Sequence, residues 1–232
     1  MPPCPVVGGQ PGGCDALATR CLRDKWVFIF GTSVARQWLF TLVALLRLSP
    51  YCIPLRQLQK EACGSAFPGH SKCTGVCGCN GVVNRTRLQF RFQIDLLDPH
   101  LRQKLLEFAR PNTTAPDLVV MTTGYYALVL HKDFRAWHAA FTHFGLQLRD
   151  LVVQVLRAQP NMTVYWRPYT PVTDAQVNAR IEKANRLMRG LWAGTPVRLL
   201  RVYDYAKARL RDYDDNVHHS QLVPVFLRQL LV

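Results

Sequence analysis

The stretch Lys25-Trp-Val-Phe-Ile-Phe-Gly31-Thr-Ser33-Val-Ala-Arg-Gln-Trp38 constrains this chain more than any other. An apolar run that stops at glycine reads as a buried strand, and Trp38, Leu39, Leu42, Val43, Leu45 and Leu46 then recur with helical spacing. Ser33 therefore falls on a strand-to-helix turn. In an open α/β sheet such a turn lies at the carboxyl edge, where the first N–H groups of the helix favour negative charge and where ligands bind. The ordinary alternative is that Ser33 caps the helix and does nothing else.

The remainder repeats the pattern. Leu88 to Ile94 alternates apolar and polar residues, as a strand with one polar face does. Asp98-Pro99 opens a helix with Leu101, Leu105, Leu106 and Phe108 on one side, ending near Pro111, and Asp117 to Gly124 is a second apolar run that ends in glycine. A helix is expected from Lys132 to Ala158, with a break near Gly145, then a strand from Thr163 to Arg167. Thr173 and Gln176 form a capping box for a helix through Trp192. Val197 to Val202 supplies a last strand, and Leu222 to Leu231 a last helix. Strands alternating with helices specify an α/β fold whose mainly parallel sheet is covered on both faces. With 232 residues, 49% of them hydrophobic, one domain is expected over residues 25–232. Residues 1–24 read as an extended, disulfide-stapled lead-in rich in Cys, Pro and Gly, and residues 49–87 as an irregular Cys-rich insertion.

All eight cysteines fall within residues 4–79, and sequons stand at Asn84, Asn112 and Asn161. Together they favour disulfides and glycosylation in an oxidising compartment, either the lumen of the secretory pathway (Golgi) or the extracellular space. Cys73-x3-Cys77-x-Cys79 fits a tetrahedral zinc site poorly, so no metal is expected. The longest apolar stretch, Trp38 to Leu48, is broken by Arg47, so no membrane span is expected within the chain. The first residues lack the features of a signal peptide, which leaves a removed leader or an upstream anchor open. A net charge of +14 attracts polyanions. The arginines are scattered without a nucleic-acid-reading motif, so acidic glycans or anionic membrane surfaces are the better partners and nucleic acid is not expected.

After the last strand comes Asp214-Asp215-Asn-Val-His218-His219. A carboxylate three residues before an imidazole can fix its tautomer and leave the other ring nitrogen free to take a proton from a serine. Strand-Gly31-Thr32-Ser33-helix, strand-Gly124 and Asp215-x-x-His218, in that order, resemble the SGNH hydrolase superfamily. More narrowly they resemble its PC-esterase branch, which includes the neurexophilin-and-PC-esterase domain proteins and cell-wall and sialic acid O-acetyltransferases. Cys21-Leu-Arg-Asp-Lys25 before the strand and Arg36-Gln37-Trp38 after the serine strengthen the likeness. The resemblance implies a three-layer α/β/α sandwich with a flavodoxin-like sheet. It makes Ser33 the nucleophile, His218 the general base and Asp215 the residue that orients the base.

The Ser33 amide is then an oxyanion donor. Thr32 replaces the motif's usual Asp, and Gly124-Tyr125-Tyr126-Ala127 stands where many members carry Gly-x-Asn-Asp. This leaves the Gly124 amide or the hydroxyls of Tyr125 and Tyr126 as oxyanion candidates, with Gly64, Gly69 or Gly75 as the second glycine donor. Arg36 and His219 are candidate substrate contacts. The expected function is a carbohydrate O-acyl, most simply O-acetyl, transferase or esterase. It would hold no tightly bound cofactor, and an acyl donor such as acetyl-CoA is a candidate co-substrate. The alternatives are a catalytically inactive glycan- or protein-binding module on the same fold, and a sulfotransferase-like phosphate-binding turn at Gly31-Thr32-Ser33.

Overall fold

A computed structural model describes residues 13–46, 78–219 and 222–230. Six strands form one sheet: β1 (Trp26–Gly31), β2 (Gly78–Val83), β3 (Thr86–Phe92), β4 (Leu118–Met121), β5 (Thr163–Trp166) and β6 (Arg198–Leu199). Their order is β2-β3-β1-β4-β5-β6, with β2 antiparallel to β3 and every other pairing parallel. Without the β2 edge, this is the doubly wound order in which the chain leaves β1 for one side and returns to the other. That reversal opens a crevice at the carboxyl ends of β1 and β4.

The strand sequences follow from their places. In β1, Val27 and Ile29 pack into one core cluster and Phe28 and Phe30 into the other, so a strand buried on both faces carries no polar residue. In β3 the burial alternates residue by residue. Helices α1 (Gly13–Leu22), α2 (Ser33–Leu46) and α8 (Val223–Arg228) cover one face. Helices α3 (Pro99–Phe108), α4 (Tyr125–Val129), α5 (Phe134–Ala158) and α6 (Ala175–Trp192) cover the other. A short helix, α7 (Tyr203–Lys207), follows β6. The α/β architecture read from the sequence, three layers around a mainly parallel sheet, is that of the structure.

Several local expectations change. Part of the lead-in is not extended but helical: in α1, Ala18 and Leu22 lie four residues apart and bury one stripe. Residues 49–77 of the expected insertion lie outside the described residues, and residues 78–87 are not irregular but form the β2-β3 hairpin. Its two-residue turn, Asn84-Arg85, has φ of 46° and 63°, the left-handed pair that matches strand twist. Helix α5 runs unbroken through Gly145, whose bare Cα lets the Phe141 ring pack 3.3 Å from where a Cβ would stand. Leu106 points away from the buried stripe of α3. Helix α6 is capped by Asp174, which accepts from the amides of Gln176 and Val177, and not by Thr173. The last strand shrinks to two exposed residues, because Val202 already caps α7.

Candidate active site

Helix α2 begins at Ser33, with Thr32 as its cap: the carbonyl of Thr32 accepts the first helical bond, from Arg36 N. The Ser33 hydroxyl is therefore free of capping duty. Gly31 permits the turn, since a Cβ there would stand 2.5 Å from the Cβ of Ala35, closer than the helix start tolerates. Half-buried Ser33 thus projects from the carboxyl end of the central strand, at the topological crevice.

The Asp215–His218 loop arrives from the far end of the chain. Asp215 Oδ1 accepts the amides of Val217 and His218 at 2.7 Å each, which curls the loop, and Oδ2 lies 2.7 Å from His218 Nδ1. His218 Nε2 lies 2.8 Å from Ser33 Oγ. Burial alone would raise the Asp215 carboxyl. The amide and imidazole of His218, with the amide of Val217, outweigh it and hold the group below the usual carboxylate range. An ionised Asp215 accepts from Nδ1–H, which leaves Nε2 as the basic nitrogen facing serine. Asp215 makes this bond; Asp214 stands one residue before it and its amide donates to the His218 carbonyl.

Residues the sequence reading passed over support this loop. The carboxamide of Asn185 on α6 bonds both the amide and the carbonyl of Tyr169, and Asn178 does the same for Val172. The segment they fix then holds the next. Tyr213 donates its hydroxyl to the Pro171 carbonyl, and the hydroxyl and amide of Thr173 donate to Asn216. Helix α6 therefore sets the position of Asp215 through two successive turns. Single asparagines on a helix leave no sequence signature of such a task.

The other predicted contacts separate. The Gly124 amide donates to the Ile94 carbonyl and is not free for an oxyanion. Gly124 itself sits at φ 77°, against Trp137 and the Tyr169 hydroxyl. Tyr125 is buried with its hydroxyl turned to the Thr170 carbonyl, and burial pushes that phenol up to about 12. Tyr126 packs edge-on against Phe92. His219 is not a surface contact. It is fully buried between the rings of Tyr213 and Phe226, with Nδ1 on the Val217 carbonyl, and burial lowers it to about 3, so it stays neutral. Arg36 is half-buried on the first turn of α2. Gly64, Gly69 and Gly75 lie outside the described residues.

Beneath the site lies Arg167, on the face of the sheet that α2 covers. It is fully buried, 5.6 Å from the Trp38 ring, and burial lowers it to about 10. None of its guanidinium nitrogens has a hydrogen-bond partner among the described residues. A lone arginine directly after the apolar run Val164-Tyr165-Trp166 was the sequence signal for it.

Of the cysteines, Cys21 on α1 is disulfide-bonded. The three sequon asparagines are exposed, and Asn84 sits in the hairpin turn with its amide donating to the Leu46 carbonyl. No described helix is long and apolar enough to cross a membrane.

No protein-family model matches this chain, and no curated protein does. Among solved structures it is similar to a family 3 carbohydrate esterase of Clostridium thermocellum. The two are 14% identical, with 88% of this chain and 94% of that chain covered at a TM-score of 0.47.

Proposed function

We propose that the chain is a serine-dependent O-acyl esterase or transferase acting on glycans, with O-acetyl as the preferred acyl group. The observation that carries this reading is the continuous run from Asp215 through His218 to Ser33, at 2.7 and 2.8 Å. Ser33 Oγ attacks the acyl carbonyl carbon while its proton passes to His218 Nε2. The Ser33 amide, which as the first of α2 has no partner within the helix, donates to the oxyanion, aided by the helix dipole. Collapse breaks the ester C–O bond, and His218 returns the proton to the departing alkoxide. Water or a sugar hydroxyl then gives its proton to Nε2 and attacks the acyl-serine, and Ser33 regains its hydrogen. Hydrolysis and transfer differ in the acceptor alone.

The motif order supports placement in the PC-esterase branch, and the clustered cysteines and sequons support a lumenal or extracellular address. Acetyl-CoA is one donor such chemistry would accept. One observation favours the second reading, an inactive binding module: the Tyr125 hydroxyl and the Gly124 amide both donate to backbone carbonyls, which removes two of the three oxyanion candidates in that block. Intact-mass labelling with a fluorophosphonate separates the two. One adduct is expected on the unmodified protein and none on Ser33→Ala or His218→Ala. A folded, unlabelled protein establishes the binding module instead.

A further inference from the structure

A cavity of about 740 Å³ opens at the β6 edge of the sheet, between α6 and the segment from β6 to α7. Its floor is Trp166, Pro168, Leu199 and Leu200, and its rim carries four cations, Arg186, Arg189, Arg201 and Lys207. Two carboxylates line it as well. Glu182 is already satisfied, by Lys207 Nζ at 2.6 Å and the Tyr203 hydroxyl at 2.9 Å, and these bonds hold it below its usual range. Asp204 is the other. Arg186, Arg189 and Arg201 have no ion pair among the described residues, so the rim keeps a positive excess over an apolar floor.

We propose that this groove binds an acidic polysaccharide, a sugar chain bearing carboxylates or sulfates. Arg186 and Arg189 lie three residues apart on one helix face, about 5–6 Å between Cβ atoms, a spacing that meets successive charges along an extended chain. The apolar floor takes the carbon face of a sugar, and planar guanidinium groups bind carboxylate or sulfate in pairs of hydrogen bonds. The cavity's volume falls in the range that holds an oligomer rather than a lone ion. Pro168 lies two residues past the carboxyl end of β5, so the groove begins on the same sheet edge as Ser33, at a strand two places from β1, about 10 Å at ordinary strand spacing. A chain seated there presents its next sugars to the hydroxyl. This rests on the glycan-acyl reading of the Ser33 site and names its substrate class.

The test is a binding titration in the Ser33→Ala protein, where no acyl chemistry is required. The probes are fluorescent oligogalacturonate, chondroitin sulfate oligomers and a neutral xylo-oligosaccharide of equal length. The acidic chains are expected to bind at least about tenfold more tightly than the neutral one, and the two acidic arms tell carboxylate from sulfate. Arg186→Gln/Arg189→Gln/Arg201→Gln should lose that preference. Arg102→Gln/Arg110→Gln/Arg135→Gln, the same charge change on α3, just beyond its end and on α5, should keep it. Equal loss in both triple variants, or equal affinity for neutral and acidic chains, overturns the groove. Fluorophosphonate labelling of the unmodified protein judges the Ser33 reading separately.

Discussion

Asp215 is more than half exposed, yet it fixes His218 through one oxygen and two backbone amides through the other. Asp215→Asn keeps the size and much of the curl but offers an amide where the carboxylate accepted, so the imidazole loses its tautomer. Labelling of Ser33 should slow by about 10³–10⁴-fold with the fold intact by circular dichroism. The neighbouring histidine answers to pH in another way. His219 is neutral in the folded protein and lowered to about 3, against an ordinary value of 6.5, so the unfolded chain binds the extra proton between those limits. Stability is therefore complete above the unfolded value and falls as pH drops through about 6 towards 3, by up to ~1.4 kcal/mol per pH unit from this group. His219→Phe keeps the ring stack and should flatten that slope in urea titrations between pH 6 and pH 4. An unchanged slope would mean that the folded protein protonates His219 after all.

At the scale of elements, the turn from β1 to α2 leaves no room. Gly31→Ala should cost about 1–3 kcal/mol, because the first turn of α2 has to move to admit the methyl group, and Ser33 moves with it. Both the melting temperature and the labelling rate should fall. Asn185→Ala strips the buried amide and carbonyl of Tyr169 of their partners, at about 1–3 kcal/mol for each group. Labelling should slow there too, although Asn185 lies outside the Ser33–His218–Asp215 run.

These elements also show what the sequence makes legible. β1, α2 and the Asp215-x-x-His218 spacing are local patterns, each written in residues near one another. The α6 asparagines and the Asn84-Arg85 hairpin act through partners distant in sequence or through left-handed backbone outside glycine, which periodicity does not encode. The helix within the lead-in was hidden because Gly, Pro and Cys dominate the composition around its short buried stripe. The commitment of the Gly124 amide, one of three oxyanion candidates, is equally illegible, because its bond to Ile94 is a loop-to-loop contact.

For the molecule as a whole, Cys21 on α1 is disulfide-bonded, and Ala18 and Leu22 pack α1 into the core cluster that α2 covers. Reduction under native conditions should lower stability by about 2–5 kcal/mol, read as a lower urea midpoint, and a midpoint unmoved by reductant would show that the packing of α1 suffices. The sheet order itself carries the last consequence. Ser33 and the imidazole facing it are 185 residues apart in the chain. At ribosomal speeds of about 5–20 residues per second, the serine is made roughly 10–40 s before its base exists. On the proposed esterase reading, a growing chain is inert towards esters until the segment carrying Asp215 and His218 has been made and folded onto the Ser33 turn.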